Sequence, residues 1–102
     1  MYKHIVLWKL KDQGSQEKNQ LLAKEVKRRL DELPKHISEI VVYETAINVG
    51  DYGASFFDIS LISVFENKDT FWAYTKYPLH DEVVAYIQSV TVAEEIVDYQ
   101  TS

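Results

Sequence analysis

Cysteine is absent from this chain of 102 residues. Its absence excludes disulfide scaffolding, zinc–thiolate sites, iron–sulfur clusters and thiol nucleophiles, and it leaves the redox compartment open. A chain of this length buries one core without help from metals or disulfides. We therefore expect a single domain over residues 1–102.

Positive charge is scarce, and long apolar runs are missing. The chain has 11 Lys and Arg against 16 Asp and Glu, which gives a formal net charge of -5. Its one basic run, Lys24 to Arg29, is typical of a solvated helix face, so nucleic acid and anionic membranes are not expected partners. The apolar run within residues 1–10 is too short for a signal peptide or a membrane span. These features predict a soluble, cytoplasmic protein.

Several motifs of known chemistry are also missing. The sequence has no glycine-rich phosphate loop, no G-x-S-x-G elbow and no HExxH. A metal site would need His4, His80, Asp58 or nearby carboxylates to converge, and no dense ligand spacing indicates this. We predict no metal and no cofactor.

Glycine and proline divide the chain into strands and helices. Residues 2–10 alternate as a strand with His4, Val6, Trp8 and Leu10 on one face. Ser15 is a candidate N-cap for a helix that runs to about Leu33, where Pro34 supplies the stop. The apolar stripe of this helix comprises Leu22, Val26, Leu30 and Leu33.

The second half of the chain is also predicted to contain both strands and helices. Residues 38–47 and 56–65 read as strands, and Asn67 is a candidate cap for a helix that ends near Pro78. A second helical piece contains Val83, Val84 and Ile87, and a last strand contains Ile96, Val97 and Tyr99.

The order of elements predicts an α+β, ferredoxin-like βαββαβ fold with an antiparallel four-stranded sheet. The helices cover one side of the sheet, and we assign Val6, Trp8, Ile59 and Leu61 to the opposite side. An apolar reverse side predicts a homodimer through sheet-to-sheet packing, with a barrel-like interior in which a small guest lodges. The alternative is a monomer with an unusually apolar sheet.

Four segments carry a resemblance to a known family: Lys3 to Leu10, Asp58 to Glu66, Tyr74 to His80, and Val97 to Tyr99. Together they resemble the stress-responsive A/B barrel (Dabb) family. The resemblance covers essentially the whole chain and implies a dimeric α+β barrel. Most members of the family have no assigned reaction.

A plant polyketide cyclase that makes olivetolic acid is the best understood relative, and it catalyses an intramolecular aldol closure. The resemblance implies that His80 corresponds to its base, Tyr74 to its partnering tyrosine and His4 to its first-strand histidine. This chain differs at Tyr77 and Ile59, where the cyclase has histidines. The difference implies a more apolar cavity here.

The chemistry of these side chains fits such a reaction. Pro78 starts a helix and places His80 in its first turn, and imidazole with a pKa of about 6.5 can remove a proton next to a carbonyl. Tyr74 would donate to the developing oxygen or hold the imidazole ring in place. The alternative is that His80 caps its helix or contacts solvent while Tyr74 fills the core. Predicted pocket residues are His4, Val6, Trp8, Ile59, Leu61 and Tyr77.

The sequence therefore leaves three functions open. The first is a binding protein with a pocket for a small apolar or aromatic carbonyl compound. The second is a cyclase-like enzyme that uses His80 with Tyr74. The third, by analogy with related barrels, is a haem- or oxygen-using monooxygenase.

Overall fold

Strands and helices follow one another in the order that the sequence predicts. A computed structural model describes residues 1–101, and its four strands form one antiparallel sheet in the order β2-β3-β1-β4. The elements are β1 (Tyr2–Leu10), α1 (Gln16–His36), β2 (Val42–Ile47), β3 (Ile59–Phe65), α2 (Lys68–Thr75), α3 (Pro78–Val90) and β4 (Thr91–Gln100). The prediction of a ferredoxin-like βαββαβ fold is confirmed.

None of the helices within residues 1–101 combines the length and the apolar character that crossing a membrane requires.

Helix α1 begins where the sequence predicts but ends later. The Ser15 side chain accepts a hydrogen bond from the Lys18 amide at 3.2 Å and so caps the helix. The predicted stop at Pro34 is wrong, because the helix continues through His36 with Pro34 inside it. Proline removes only one helical N–H, and the buried side chains of Leu33 and Ile37 hold the last turn against the core. The Ile37 amide donates to the Leu33 carbonyl at 3.0 Å.

The two middle strands are shorter than predicted. Strand β2 begins at Val42, because the longer α1 leaves residues 37–41 to turn the chain back toward the sheet. Strand β3 begins at Ile59, and the Asp58 amide donates to the Trp8 carbonyl at 2.8 Å just before the strand starts.

Helices α2 and α3 begin at the residues that the sequence predicts. Asn67 forms a capping box with Thr70 at the start of α2, and Pro78 occupies the first turn of α3. The break between the two helices therefore lies at Lys76 and Tyr77. His80 is consequently in the first turn of α3, as predicted.

The predicted assignment of side chains to the two sides of the sheet is wrong. Val6, Trp8, Ile59 and Leu61 face the helices, and each is at most 6% exposed in the single chain. They pack with the α1 stripe in one core. Because side chains alternate between the two faces of a strand, each strand gives one whole set of alternate residues to the helices.

The reverse side of the sheet is nevertheless apolar, with different residues. The side chains opposite the helices are those that alternate with the core positions in β1, β2, β3 and β4. Several of them remain substantially exposed, Leu7 and Ile62 at 37% each and Val97 at 58%. The apolar members of this reverse face are Ile5, Leu7, Val42, Ala46, Ile62, Val64, Ala93, Val97 and Tyr99.

Two leucines of α1 offer a direct test of the core. Leu33 is 1% exposed, whereas Leu21 on the same helix is 59% exposed. We expect Leu33→Ala to lower the free energy of unfolding by about 2–5 kcal/mol, because it leaves a cavity. Leu21→Ala should change it by less than about 0.5 kcal/mol. Urea denaturation followed by circular dichroism measures both, and equal losses would contradict the assignment of the α1 face.

Candidate functional site

A cavity of about 200 Å³ lies inside the single chain, between the helices and the sheet. Its apolar walls come from α1, α2 and α3, and its floor comes from β1, β3 and β4. The apolar lining is formed by Val6, Trp8, Leu30, Leu33, Leu61, Phe71, Val83, Val84, Ile87 and Ile96. Its polar lining comprises His4, Tyr74, Thr75, His80, Gln88 and Glu94.

His4 is fixed at one end of this cavity by a carboxylate. Its Nδ1 lies 2.6 Å from Asp98 Oδ1, and since an ionised carboxylate only accepts, Nδ1–H is the donor. The other carboxylate oxygen of Asp98 accepts a hydrogen bond from the Tyr2 hydroxyl at 2.9 Å. Tyr2 and Asp98 thus hold the imidazole in one orientation, which leaves Nε2 as the ring nitrogen for a ligand.

His80 lines the same cavity from the start of α3. Its side chain is 16% exposed, and its Nδ1 is buried without a hydrogen-bond partner among the protein atoms of residues 1–101. The Asp81 carboxylate lies 3.7 Å away, which is too long for a hydrogen bond. Burial lowers the pKa of His80, while the Asp81 charge opposes that shift in part. His80 is therefore favoured as a neutral imidazole.

Tyr74 contacts His80 through its ring rather than its hydroxyl. The two ring centroids are 4.6 Å apart in an edge-on arrangement. The Tyr74 hydroxyl instead shares a hydrogen bond of 3.1 Å with the hydroxyl of Tyr43 on β2. Burial raises the pKa of Tyr74 to about 12, although its hydrogen bond to Tyr43 opposes the shift. The phenol is thus neutral at physiological pH.

Two of the predicted pocket residues lie elsewhere. Tyr77 donates its hydroxyl to Glu39 at 2.7 Å and packs against the outside of the core. Ile59 is 1% exposed in the core and lines a separate groove of about 490 Å³ next to the loop of residues 48–58. That groove is larger than the helix–sheet cavity, but its lining within residues 1–101 has no titratable side chain. The chemistry is concentrated in the smaller cavity.

The remaining predicted residues come together as one set. His4, Val6, Trp8, Leu61, Tyr74 and His80 all line the helix–sheet cavity. The cavity lies within one chain, whereas the sequence predicted a space between two sheets. Nowhere in residues 1–101 do three or more His, Asp or Glu side chains converge in a way that could hold a metal ion.

Several side chains of the site were not identified from the sequence. Asp98 and Glu94 come from β4, and they reach the site because β1 and β4 pair with His4 opposite Asp98 and Trp8 opposite Glu94. The sequence signal was their alternation with Ile96, which places all three on one face of the last strand. That signal is readable only once the partner strand is known.

Comparison with solved structures supports the same fold. A dimeric ferredoxin-like protein of unknown function from Bacteroides fragilis is 29% identical and superposes with a TM-score of 0.83, which covers 98% of this chain and 95% of that chain. A dimeric ferredoxin-like protein of unknown function from Thermobifida fusca is 22% identical, with a TM-score of 0.81 and coverages of 98% and 90%. The hydroxynitrile lyase from Passiflora edulis is 18% identical, with a TM-score of 0.79 and coverages of 96% and 90%.

The comparison with curated proteins found no match. The family model of the stress-responsive A/B barrel domain matches residues 2–101, and the predicted resemblance is confirmed. This chain belongs to the stress-responsive A/B barrel domain family.

Proposed function

We propose that each chain binds a small apolar or aromatic carbonyl compound in its helix–sheet cavity. The observation that carries this proposal is the meeting of two histidines, His4 and His80, at one apolar cavity. Ligand sites combine apolar walls with a few placed polar groups. A volume of about 200 Å³ lies below the range of roughly 300–1,000 Å³ typical of drug-sized ligands, so the ligand is compact.

We infer that the two histidines also support proton transfer. His80, neutral because its pKa is lowered, takes the proton from the carbon next to the carbonyl, and the C–H electron pair moves into the enolate. His4, which Asp98 holds at Nδ1, stabilises the developing enolate oxygen through a hydrogen bond from Nε2–H and keeps that proton throughout. Return of a proton from His80 to carbon restores the ketone.

In this proposal Tyr74 does not donate a proton. Its hydroxyl is engaged by Tyr43, whereas its ring lies edge-on against His80. We therefore assign Tyr74 as a positioning residue that keeps the imidazole over the cavity.

The chain is further proposed to form a homodimer through the reverse face of its sheet. Leaving Leu7, Ile62 and Val97 in water has a cost that rises by roughly 25 cal/mol for each Å² of apolar surface. Two relatives of the same fold, from Bacteroides fragilis and Thermobifida fusca, are described as dimeric. A second copy packed sheet to sheet would cover this face in both chains.

Exchange of ketone hydrogens for deuterium tests the proton-transfer step without knowledge of the natural substrate. We expect the protein to accelerate exchange at the methyl group of a small aryl methyl ketone in D₂O, followed by NMR. His80→Gln should reduce the accelerated rate by about a hundredfold to ten-thousandfold, because the base is lost. His36→Gln is the matched control, since His36 is exposed and does not line the cavity.

The outcomes of this experiment separate the candidate functions. A ketone that binds without accelerated exchange would contradict the enzyme and leave a binding protein. A ketone that neither binds nor exchanges would contradict the proposed pocket.

The lowered pKa of His80 has a consequence for stability. The unfolded chain binds a proton at His80 with a pKa of about 6.5, above that of the folded chain, so protonation favours unfolding. Stability from this group is complete above pH 6.5 and declines as pH falls toward the folded pKa. When the pH is lowered from 7.5 to 5, we expect the free energy of unfolding to fall less in His80→Gln than in the unsubstituted protein. Urea denaturation at both pH values measures this, and parallel losses in the two proteins would rule out a neutral, buried His80.

A lysine on the reverse face tests the proposed dimer. Ile5→Lys places a charge between Ile62 and Val97 at the centre of that face, and burying it unpaired should weaken association at least about a hundredfold. Leu21→Lys, at an exposed position of α1, should leave association unchanged. Analytical ultracentrifugation should report twice 11.9 kDa for the original chain and the control. A single-chain mass for the unsubstituted protein at micromolar concentration would refute the dimer.

A further inference from the structure

The floor of the cavity has a polar, apolar, polar pattern along β1 and β4. Three cross-strand pairs lie side by side on the helix-facing side, namely His4 with Asp98, Val6 with Ile96, and Trp8 with Glu94. The first and third pairs are joined by side-chain hydrogen bonds, and the middle pair is apolar. The cavity therefore has a second polar end, opposite the histidines.

Glu94 supplies that second end. Its Oε2 accepts a hydrogen bond from the Trp8 indole Nε1–H at 2.8 Å, and its side chain lines the cavity. The indole holds the carboxylate in place through one oxygen, and a carboxylate has a second oxygen that can accept from a ligand. One oxygen of Glu94 satisfies the indole N–H of the buried Trp8, and the proposed proton transfer does not use the other oxygen.

The spacing of the two ends sets the length of a matching ligand. His4 and Trp8 are four residues apart on β1, which corresponds to about 14 Å along an antiparallel strand. This is a spacing of backbone positions, so it sets an upper limit on the ligand: with a hydrogen bond of about 3 Å at each end, its polar atoms are at most about 8 Å apart. A benzene ring with a carbonyl group and a second polar group in para positions fits within this limit.

We propose that Glu94 selects ligands that carry a hydroxyl group at the end remote from the carbonyl, as in a para-hydroxyaryl ketone. This inference rests on the proposed carbonyl-binding function of the same cavity. The carboxylate accepts a hydrogen bond from the hydroxyl and repels a carboxylate at the same position. Glu94 thus determines specificity and takes no part in proton transfer.

Three ketones and two matched variants test this inference. The probes are 4′-hydroxyacetophenone, acetophenone and 4-acetylbenzoate, and their dissociation constants are measured by calorimetry. Glu94→Gln keeps an oxygen for the Trp8 indole but removes the charge, whereas Glu95→Gln removes a neighbouring charge on the other face of β4.

We expect the unsubstituted protein to bind the hydroxyl ketone about tenfold to a hundredfold more tightly than acetophenone, and 4-acetylbenzoate most weakly. Glu94→Gln should reduce the preference for the hydroxyl ketone severalfold, and it should bring the affinity for 4-acetylbenzoate closer to that for acetophenone. Glu95→Gln should change neither. Trp8→Phe removes the indole donor that fixes the carboxylate, and it should also lower the hydroxyl preference.

Other results would overturn the inference in distinguishable ways. Equal affinities for the three ketones, or a hydroxyl preference unchanged in Glu94→Gln, would refute the role of Glu94 while the pocket itself stands. Failure of all three ketones to bind the unsubstituted protein would refute the pocket function together with this inference.

Discussion

The antiparallel pairing of β1 with β4 joins the two ends of the chain, and the candidate site depends on its register. The Met1 amino group donates to the Thr101 carbonyl at 2.7 Å, and the pairing then runs from Tyr2 to Leu10. This register sets Asp98 beside His4 and Glu94 beside Trp8. A slip of one residue would turn both carboxylates to the reverse face and leave the histidine without its partner.

The same sheet serves two purposes because its faces are separate. One face packs against the helices and also forms the cavity floor, so residues such as Val6 and Leu61 belong both to the core and to the site. The reverse face has apolar side chains without any histidine, and it suits contact with another sheet. Ligand binding and self-association therefore need not compete for the same residues.

Much of the architecture was predictable from the sequence because local signals agree with the fold. The Ser15 and Asn67 caps, the Pro78 start of α3 and the alternation of β1 all have local causes and lie where predicted. The predicted end of α1 at Pro34 was wrong, because burial of Leu33 and Ile37 outweighs the loss of one helical hydrogen bond. Local rules give no weight to such tertiary packing.

The candidate site was predictable only in part, for a different physical reason. Both faces of β1 and β3 are apolar, so alternation reveals two faces but does not identify the one that the helices cover. Asp98 and Glu94 lie about ninety residues from their partners, and no local pattern reports such pairing. The contact between Tyr74 and His80 was expected, but the hydrogen bond that commits the Tyr74 hydroxyl to Tyr43 depends on β2.

The location of a bound ligand tests the central claim most directly. A crystal structure of the protein grown with 4′-hydroxyacetophenone would show it. We predict one ligand per chain between the helices and the sheet, with its carbonyl oxygen within hydrogen-bond distance of His4 Nε2. A ligand held between the reverse faces of two sheets, with the helix–sheet cavity unoccupied, would contradict the account.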